Sequence, residues 1–265
     1  MSVEEIAAAL DLHVERRLGG MWGAYLVTTE RGARVVLKPL PRHEIFAMPR
    51  LAISVQLATE LRNAGYPVPE YLDFGIIEGQ TYTLQEFIDG ETPTELSVSH
   101  VEQLIELWRL HRDVAAHTGN ADPQWPAQLL AGIHAESPAL RDSDDPRVQR
   151  ILDRALAAID NADLGILRTA DAVHGDFHQE NLLVRGDTVV AYVDWEGCRG
   201  GDSRGDLLML AFSSVDMRSI APPARAGLLA EIDRSVPADV RALLASSYAV
   251  GKVAFGLRTG ADRLQ

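Results

Sequence analysis

The 265-residue sequence holds a single cysteine, Cys198, so no disulfide can form within the chain and nothing in it requires an oxidising compartment. Lysine is nearly as scarce: of 25 basic residues only Lys38 and Lys252 are lysine, which makes each a departure from the chain's own arginine usage. Positive charge as a whole is short. The 38 acidic residues leave a formal net charge of −13 and a pI near 5.0, which argues against a general nucleic-acid binder and suits a cationic ligand or an ordinary acidic surface. The opening MSVEEIAAALDLHVERR carries acid where a secretory signal needs positive residues. No apolar run reads as reaching the roughly 20 residues that span a bilayer. The expectation is a cytoplasmic protein with neither a nucleic-acid nor a membrane partner. Repeats, low-complexity tracts, HExxH and paired CxxC signatures are absent from the sequence. Gly251-Lys252 is not a phosphate-binding P-loop, because Ser246 stands where the first glycine belongs and Val253 where Ser or Thr belongs.

What the chain does have is concentrated in His174 to Glu196, HGDFHQENLLVRGDTVVAYVDWE. The pieces 182–185 and 188–193 are short, rich in β-branched residues and separated by Arg185-Gly186-Asp187, the pattern of two strands and a tight turn. Asp176, Asn181 and Asp194 then fall at the loop ends of that hairpin. A carboxylate, an amide oxygen and a second carboxylate form an oxygen-rich set that suits a hydrated Mg²⁺, with one carboxylate to spare for a proton.

This motif resembles the aminoglycoside phosphotransferase family, small-molecule relatives of the protein kinases, in which a catalytic aspartate, an asparagine and a metal-binding aspartate keep this order. The resemblance implies Asp176 as catalytic base and Asn181 and Asp194 as Mg²⁺ ligands. Asp194 stands where protein kinases carry the Asp of DFG, with Trp195 and Glu196 replacing Phe-Gly. It also implies an α+β, protein-kinase-like two-lobe fold: residues 1–88 as an N-terminal nucleotide-binding lobe of antiparallel sheet and one helix, and 89–265 as a larger, mainly helical lobe for catalysis and acceptor binding.

Ser2 and Glu5 form a capping box for a short helix to about residue 10. Glycines 19, 20 and 23 precede a hairpin of Tyr25–Thr29 and Ala33–Lys38, in a loop that suits turn-making and phosphate contact equally. Lys38 closes the apolar strand VVLK and resembles the kinase lysine that faces the nucleotide phosphates, where a compact ammonium acts as a point charge. Ile53, Leu57 and Leu61 space a helix over 52–64, and Tyr66-Pro67-Val68-Pro69 forces extended chain after it. In the family that helix pairs a Glu with the lysine; here Glu60 or Glu44 in a shifted register, or Gln56 in substitution, is expected to serve. A second hairpin, 71–77 and 81–88, runs into Asp89-Gly90. Its TLQEFIDG resembles the segment between kinase lobes, which implies that Glu86 and Ile88 meet the adenine edge.

Beyond residue 89 the pattern turns helical. Ser99 and Glu102 suggest a cap for a helix to about 116 that carries His111 as a buttress, 119–145 reads as mixed, and Val148, Ile151, Leu152, Leu156 and Ile159 line one face of a further helix. In the family this helical region helps to wall the acceptor pocket. Gly200-Gly201-Asp202-Ser203 and Asp206-Leu207 resemble the family's Gly-Asp-Pro and Asp-Leu-Ala pattern, with Ser203 in place of Pro. Asp202 and Asp206 are expected to cap and tie loops. From Pro222 the tail reads as helical.

The leading expectation is therefore an Mg²⁺-dependent O-phosphotransferase that moves a phosphoryl group from ATP or GTP to a hydroxyl of a small molecule. A cationic antibiotic, aminoglycoside-like or basic peptide, is the expected acceptor, and its modification confers resistance. Another metabolite, such as a macrolide, amino acid, sugar or choline-like alcohol, is the alternative acceptor. Two other classes compete: a divalent-metal hydrolase using His174, Asp176, His178 and Asp194, and a catalytically silent nucleotide-binding regulator.

Overall fold

The computed structural model describes residues 1–20, 23–43, 46–160, 162–213 and 219–259. In chain order its elements are α1 (Val3–Ala9), β1 (Leu12–Gly19), β2 (Ala24–Thr29), β3 (Arg34–Pro39), α2 (Met48–Asn63), β4 (Tyr71–Ile77), β5 (Gln80–Glu86), α3 (Val98–Arg109), α4 (Val114–His117), α5 (Trp125–Arg141), α6 (Pro146–Asp160), β6 (Asp171–Val173), β7 (Leu182–Arg185), β8 (Thr188–Tyr192), β9 (Arg199–Gly201), α7 (Arg204–Ser213), α8 (Pro222–Ser235) and α9 (Ala238–Thr259). An antiparallel sheet followed by a mainly helical region gives the α+β, kinase-like class expected from the sequence. Contacts group the chain into two compact units, 1–92 with 181–199, and 93–180 with 200–265. The sequence reading divides the chain after residue 88, whereas packing assigns the 182–193 hairpin to the same unit as the N-terminal sheet.

In the first unit the sheet runs β1-β2-β3-β5-β4, every neighbour antiparallel. Strand β1 is absent from the sequence-based expectation because its Glu15, Arg16 and Arg17 face solvent on an edge position, where charge protects an unpaired backbone and hides the apolar alternation. Helix α1 carries the expected capping box, with Glu5 N–H donating to Ser2 Oγ at 3.2 Å and Ser2 N–H to Glu5 Oε2 at 2.7 Å. Its Val3, Ile6 and Ala7 pack with Val27, Val35, Leu37 and Tyr82 into one core. Helix α2 buries Leu51, Leu57, Ala58 and Leu61 and packs on β4 and on the turn that follows β8.

In the second unit α3 packs on α8, while α5 and α6 pack on each other and on α9. Helix α5 occupies a stretch that the sequence reading leaves mixed. Pro126 opens it, where a missing N–H costs nothing, but Pro138 sits inside it and masks the helical pattern. The cap of α3 also falls earlier than expected, on Ser97 and His100 rather than Ser99 and Glu102. Helix α9, 22 residues with Arg241 and Lys252 inside it, is long and apolar enough to cross a membrane by length and composition alone. It packs against α5, α6 and α7. The Gly200-Gly201 pair follows from crowding, since a Cβ at Gly200 would collide with the Asn120 carbonyl and one at Gly201 would lie 2.8 Å from the Trp125 indole nitrogen.

Candidate active site

Each unit holds its own set of polar groups. In the first, strands β7 and β8 pair with Leu182 opposite Tyr192, and Val193 N–H donates to Asn181 C=O at 2.9 Å. That bond closes the open end of the hairpin and brings the chain at Asn181 beside the chain at Asp194. Asp194 then adopts the left-handed region, φ 73°, ψ 42°, a conformation that Asp tolerates better than most residues at a cost on the order of 1 kcal/mol. The turn it makes sends Trp195 inward, fully buried, with its edge against Tyr66 and its Nε1–H donating to Tyr192 C=O at 2.8 Å.

The two acidic neighbours of Trp195 both reach one lysine. Lys38 Nζ donates to Asp194 Oδ1 at 2.6 Å and to Glu196 Oε2 at 3.0 Å. Glu196 is buried, and its Oε1 accepts from Thr83 Oγ1 at 3.1 Å and from Gln85 Nε2, both on β5. Burial alone pulls the Lys38 ammonium down, but the charges of Glu196 and Asp194 outweigh it and hold its pKa well above the usual lysine value. Tyr71 points its hydroxyl into the same buried region, where it has no hydrogen-bond partner among the described residues. Burial first, then the charge of Glu196 and Asp194, keeps that phenol un-ionised.

Sequence reasoning therefore placed Lys38 and Asp194 in one cluster and missed Glu196, which it took only as half of the Phe-Gly replacement. The available signal was an acid two residues beyond the metal-type aspartate, on a turn certain to bend. Glu60, expected as a partner for Lys38, instead stands exposed on α2, and Gln56 is exposed beside it. Glu44 lies outside the described residues, as do Met21 and Trp22 of the glycine-containing loop. Ser54 of that same helix is buried and donates to Cys198 C=O at 2.7 Å, fastening α2 to the chain beyond Glu196. Glu86 turns its carboxylate to Arg62, 3.1 Å away, and its N–H bonds to Glu70 C=O at 2.8 Å; Ile88 follows β5 in irregular, half-buried chain.

An amide oxygen at Asn181 and a carboxylate at Asp194 are donor types that would suit Mg²⁺, a hard cation that takes one or two protein oxygens and fills the remaining positions with water and phosphate. The Asp194 side chain is 45% exposed, which leaves it accessible to such an ion. With one ammonium against two carboxylates the cluster carries a local charge of −1, which favours a cation arriving with a polyanion.

In the second unit Asp206 organises the loop that carries Asp176. Its fully buried carboxylate accepts from His174 N–H and from Gly175 N–H, both at 2.9 Å, and lies 3.3 Å from His111 Nδ1. His111 is thus the buttress expected from the sequence. Asp202, by contrast, caps: it accepts from Arg204 N–H at 3.1 Å and from Arg168 N–H at 3.0 Å, and pairs with the Arg204 guanidinium. Asp176 Oδ2 lies 3.1 Å from His178 Nε2, and the Asp176 side chain is half exposed. Among the described residues, no three of His, Cys, Asp and Glu gather as a set that could hold a metal ion.

A kinase-like fold with a lysine on β3 and an Asp at the end of the hairpin defines the class, and comparison with known proteins gives the family. The profile of the phosphotransferase enzyme family matches residues 14–243, and the chain belongs to that family, whose members here are small-molecule kinases acting on hydroxyl groups. Among solved structures it is similar to a thermostable mutant of aminoglycoside phosphotransferase APH(4)-Ia in ternary complex with ADP and hygromycin B, at 17% identity and a TM-score of 0.71, covering 98% of this chain and 92% of that one. It is similar also to macrolide 2'-phosphotransferase MphH from Brachybacterium faecium, at 17% identity and TM-score 0.61, covering 97% and 93%. An aminoglycoside phosphotransferase from Alicyclobacillus acidocaldarius matches at 16% identity and TM-score 0.63, covering 97% and 86%. No curated protein matches the chain in sequence.

Proposed function

We propose that the chain transfers the γ-phosphoryl group of ATP or GTP to a hydroxyl of a cationic small molecule, an aminoglycoside-like or basic peptide antibiotic, and so inactivates it. The observation that carries this reading is the grip of Asp194 and Glu196 on Lys38 in a family of phosphotransferases. In this reading Lys38 neutralises charge on the nucleotide phosphates, and Glu196 keeps the ammonium in place. Asn181 and Asp194 would hold Mg²⁺, which supplies further charge neutralisation on the phosphates when bound. Asp176 orients the acceptor hydroxyl and takes its proton as the acceptor oxygen bonds to the γ-phosphorus. The bond from that phosphorus to the β,γ-bridging oxygen breaks, and the nucleoside diphosphate leaves. Such transition states are loose, so Asp176 needs no raised pKa, and its loss costs on the order of 10² to 10⁴ in rate.

The net charge of −13 supports a cationic acceptor. The same 17% identity to an aminoglycoside and to a macrolide enzyme keeps other hydroxylated compounds within the family's reach. A nucleotide-consumption screen over aminoglycosides, basic peptide antibiotics, macrolides, amino acids, sugars and choline, with wild type beside Asp176→Asn, tests the reading. Acceptor-dependent turnover that Asp176→Asn loses supports it; equal turnover by both proteins removes Asp176 from the mechanism.

A further inference from the structure

Within the second unit, helix α7 runs alongside the loop that carries Asp176, and successive turns of the helix meet successive residues of the loop. Asp206 accepts from His174 N–H and Gly175 N–H, and one turn later Met209 Sδ accepts from Phe177 N–H at 3.1 Å. Phe212 stands on the next turn, about 4.5 Å further along the helix axis. Its ring stacks on Tyr248 of α9, with centroids 6.1 Å apart and planes inclined by 22°. Tyr248 and Lys252 are four apart on α9 and so share a face, with Lys252 Nζ 5.3 Å from the centroid of the Tyr248 ring. Phe212 is the member turned to solvent, 46% exposed, whereas Tyr248 and Lys252 are half-buried.

We infer that Phe212 is a specificity-determining residue, its exposed ring receiving an ammonium group of the acceptor beside the loop that carries Asp176. The inference deepens the proposed function and rests on it for the acceptor. The face of an aromatic ring is electron-rich and attracts an ammonium within about 6 Å of its centroid. The chain already uses that attraction at Tyr248, and it does so with one of its only two lysines. Stacking extends the same kind of surface from Tyr248 to Phe212, where solvent and ligand can reach it. A net charge of −13 draws a cation toward the protein as a whole but gives it no position. A ring fixed by its neighbour does give one, and its attraction involves no titrating group. It also separates a cation from an uncharged group of equal shape, which an aliphatic surface does not.

Two measurements on the full chain test this. The first compares choline with the uncharged analogue in which carbon replaces its quaternary nitrogen, so that shape is constant and charge is not. In an NMR titration, with the Phe212 ring assigned by its loss in Phe212→Leu, choline should shift that ring at a concentration about tenfold lower than the analogue requires. Equal shifts with both compounds, or none with either, overturn the inference. The second measurement is kinetic, with MgATP and the cationic acceptor that the screen returns. Phe212→Leu, which keeps an apolar side chain and removes the ring, should raise KM for that acceptor about tenfold and leave Tm and KM for MgATP unchanged. An unchanged acceptor KM, or a screen that returns only uncharged acceptors, overturns the inference and leaves phosphoryl transfer standing. A screen that returns no acceptor overturns the proposed function, and the choline titration still decides whether Phe212 takes an ammonium.

Discussion

The ion pair between Lys38 and Glu196 joins residues 158 positions apart in the chain, and it links strand β3 to the turn after β8 through a carboxylate that β5 also holds. The lysine is therefore held by the two carboxylates that flank Trp195, Asp194 and Glu196. Both members are largely buried, with side chains 14% and 2% exposed. Glu196→Ala leaves Lys38 to Asp194 alone and strips Thr83 and Gln85 of their buried acceptor, so it should destabilise the fold by about 2–3 kcal/mol in denaturant titration. Glu60→Ala, on the exposed face of α2, should change stability by less than about 0.5 kcal/mol. The reverse order of effects would return the pairing to the helix.

Asp206 ties two successive N–H groups of the loop that carries Asp176 without belonging to that loop. Asp206→Ala leaves the buried His174 N–H without its acceptor, while Gly175 N–H on the exposed side can turn to water, and should cost about 2 kcal/mol, read as a fall in Tm. Its effect on turnover should appear in kcat and not in KM for nucleotide, since the loop it steadies carries Asp176. An unchanged Tm would mean that the loop is held by its other bonds alone.

Much of this site was legible in the sequence. The hairpin of β7 and β8 announced itself through short β-branched runs around Arg185-Gly186-Asp187, and Lys38 stood out because lysine is rare in this chain and an apolar strand precedes it. Glu196 was not legible in the same way. Its role depends on the left-handed turn at Asp194 and on Trp195 turning inward, which together aim the flanking carboxylates at one ammonium. A pattern of residue types carries no record of that bend. The reading of Glu60 went wrong for a related reason: helical spacing shows which residues share a face, not which face meets the sheet. Strand β1 and helix α5 were obscured by local chemistry, charges on an edge strand in one and an interior proline in the other.

The Tyr71 hydroxyl is a buried group beside two carboxylates, with no hydrogen-bond partner among the described residues. Tyr71→Phe removes the unsatisfied hydroxyl and keeps the ring, so stability should stay level or rise by about 1 kcal/mol. A loss of more than about 1 kcal/mol in denaturant titration would show that the hydroxyl makes a stabilising bond.

Tyr82 provides a pH-dependent term. Burial first, then the hydrogen bond to Asp73 Oδ2 at 2.6 Å, raises its pKa from 10.0 to about 12. The unfolded phenol ionises first, so above its pKa the unfolded state binds fewer protons than the folded one. The stabilisation is complete below pH 10 and is lost as pH rises toward about 12. In Tyr82→Phe the fall in stability across that window should be shallower than in wild type. Equal slopes would show that Tyr82 ionises alike in both states.

The most direct test of the account follows the γ-phosphoryl group itself, with labelled nucleotide, Mg²⁺ and the acceptor panel, in wild type, Lys38→Ala and Asp194→Asn. The account predicts label on an acceptor hydroxyl with wild type, and transfer reduced on the order of 10²-fold or more in each variant, as befits groups that stabilise charge in the transition state. Label that reaches no acceptor, or reaches it at the wild-type rate in both variants, would contradict it.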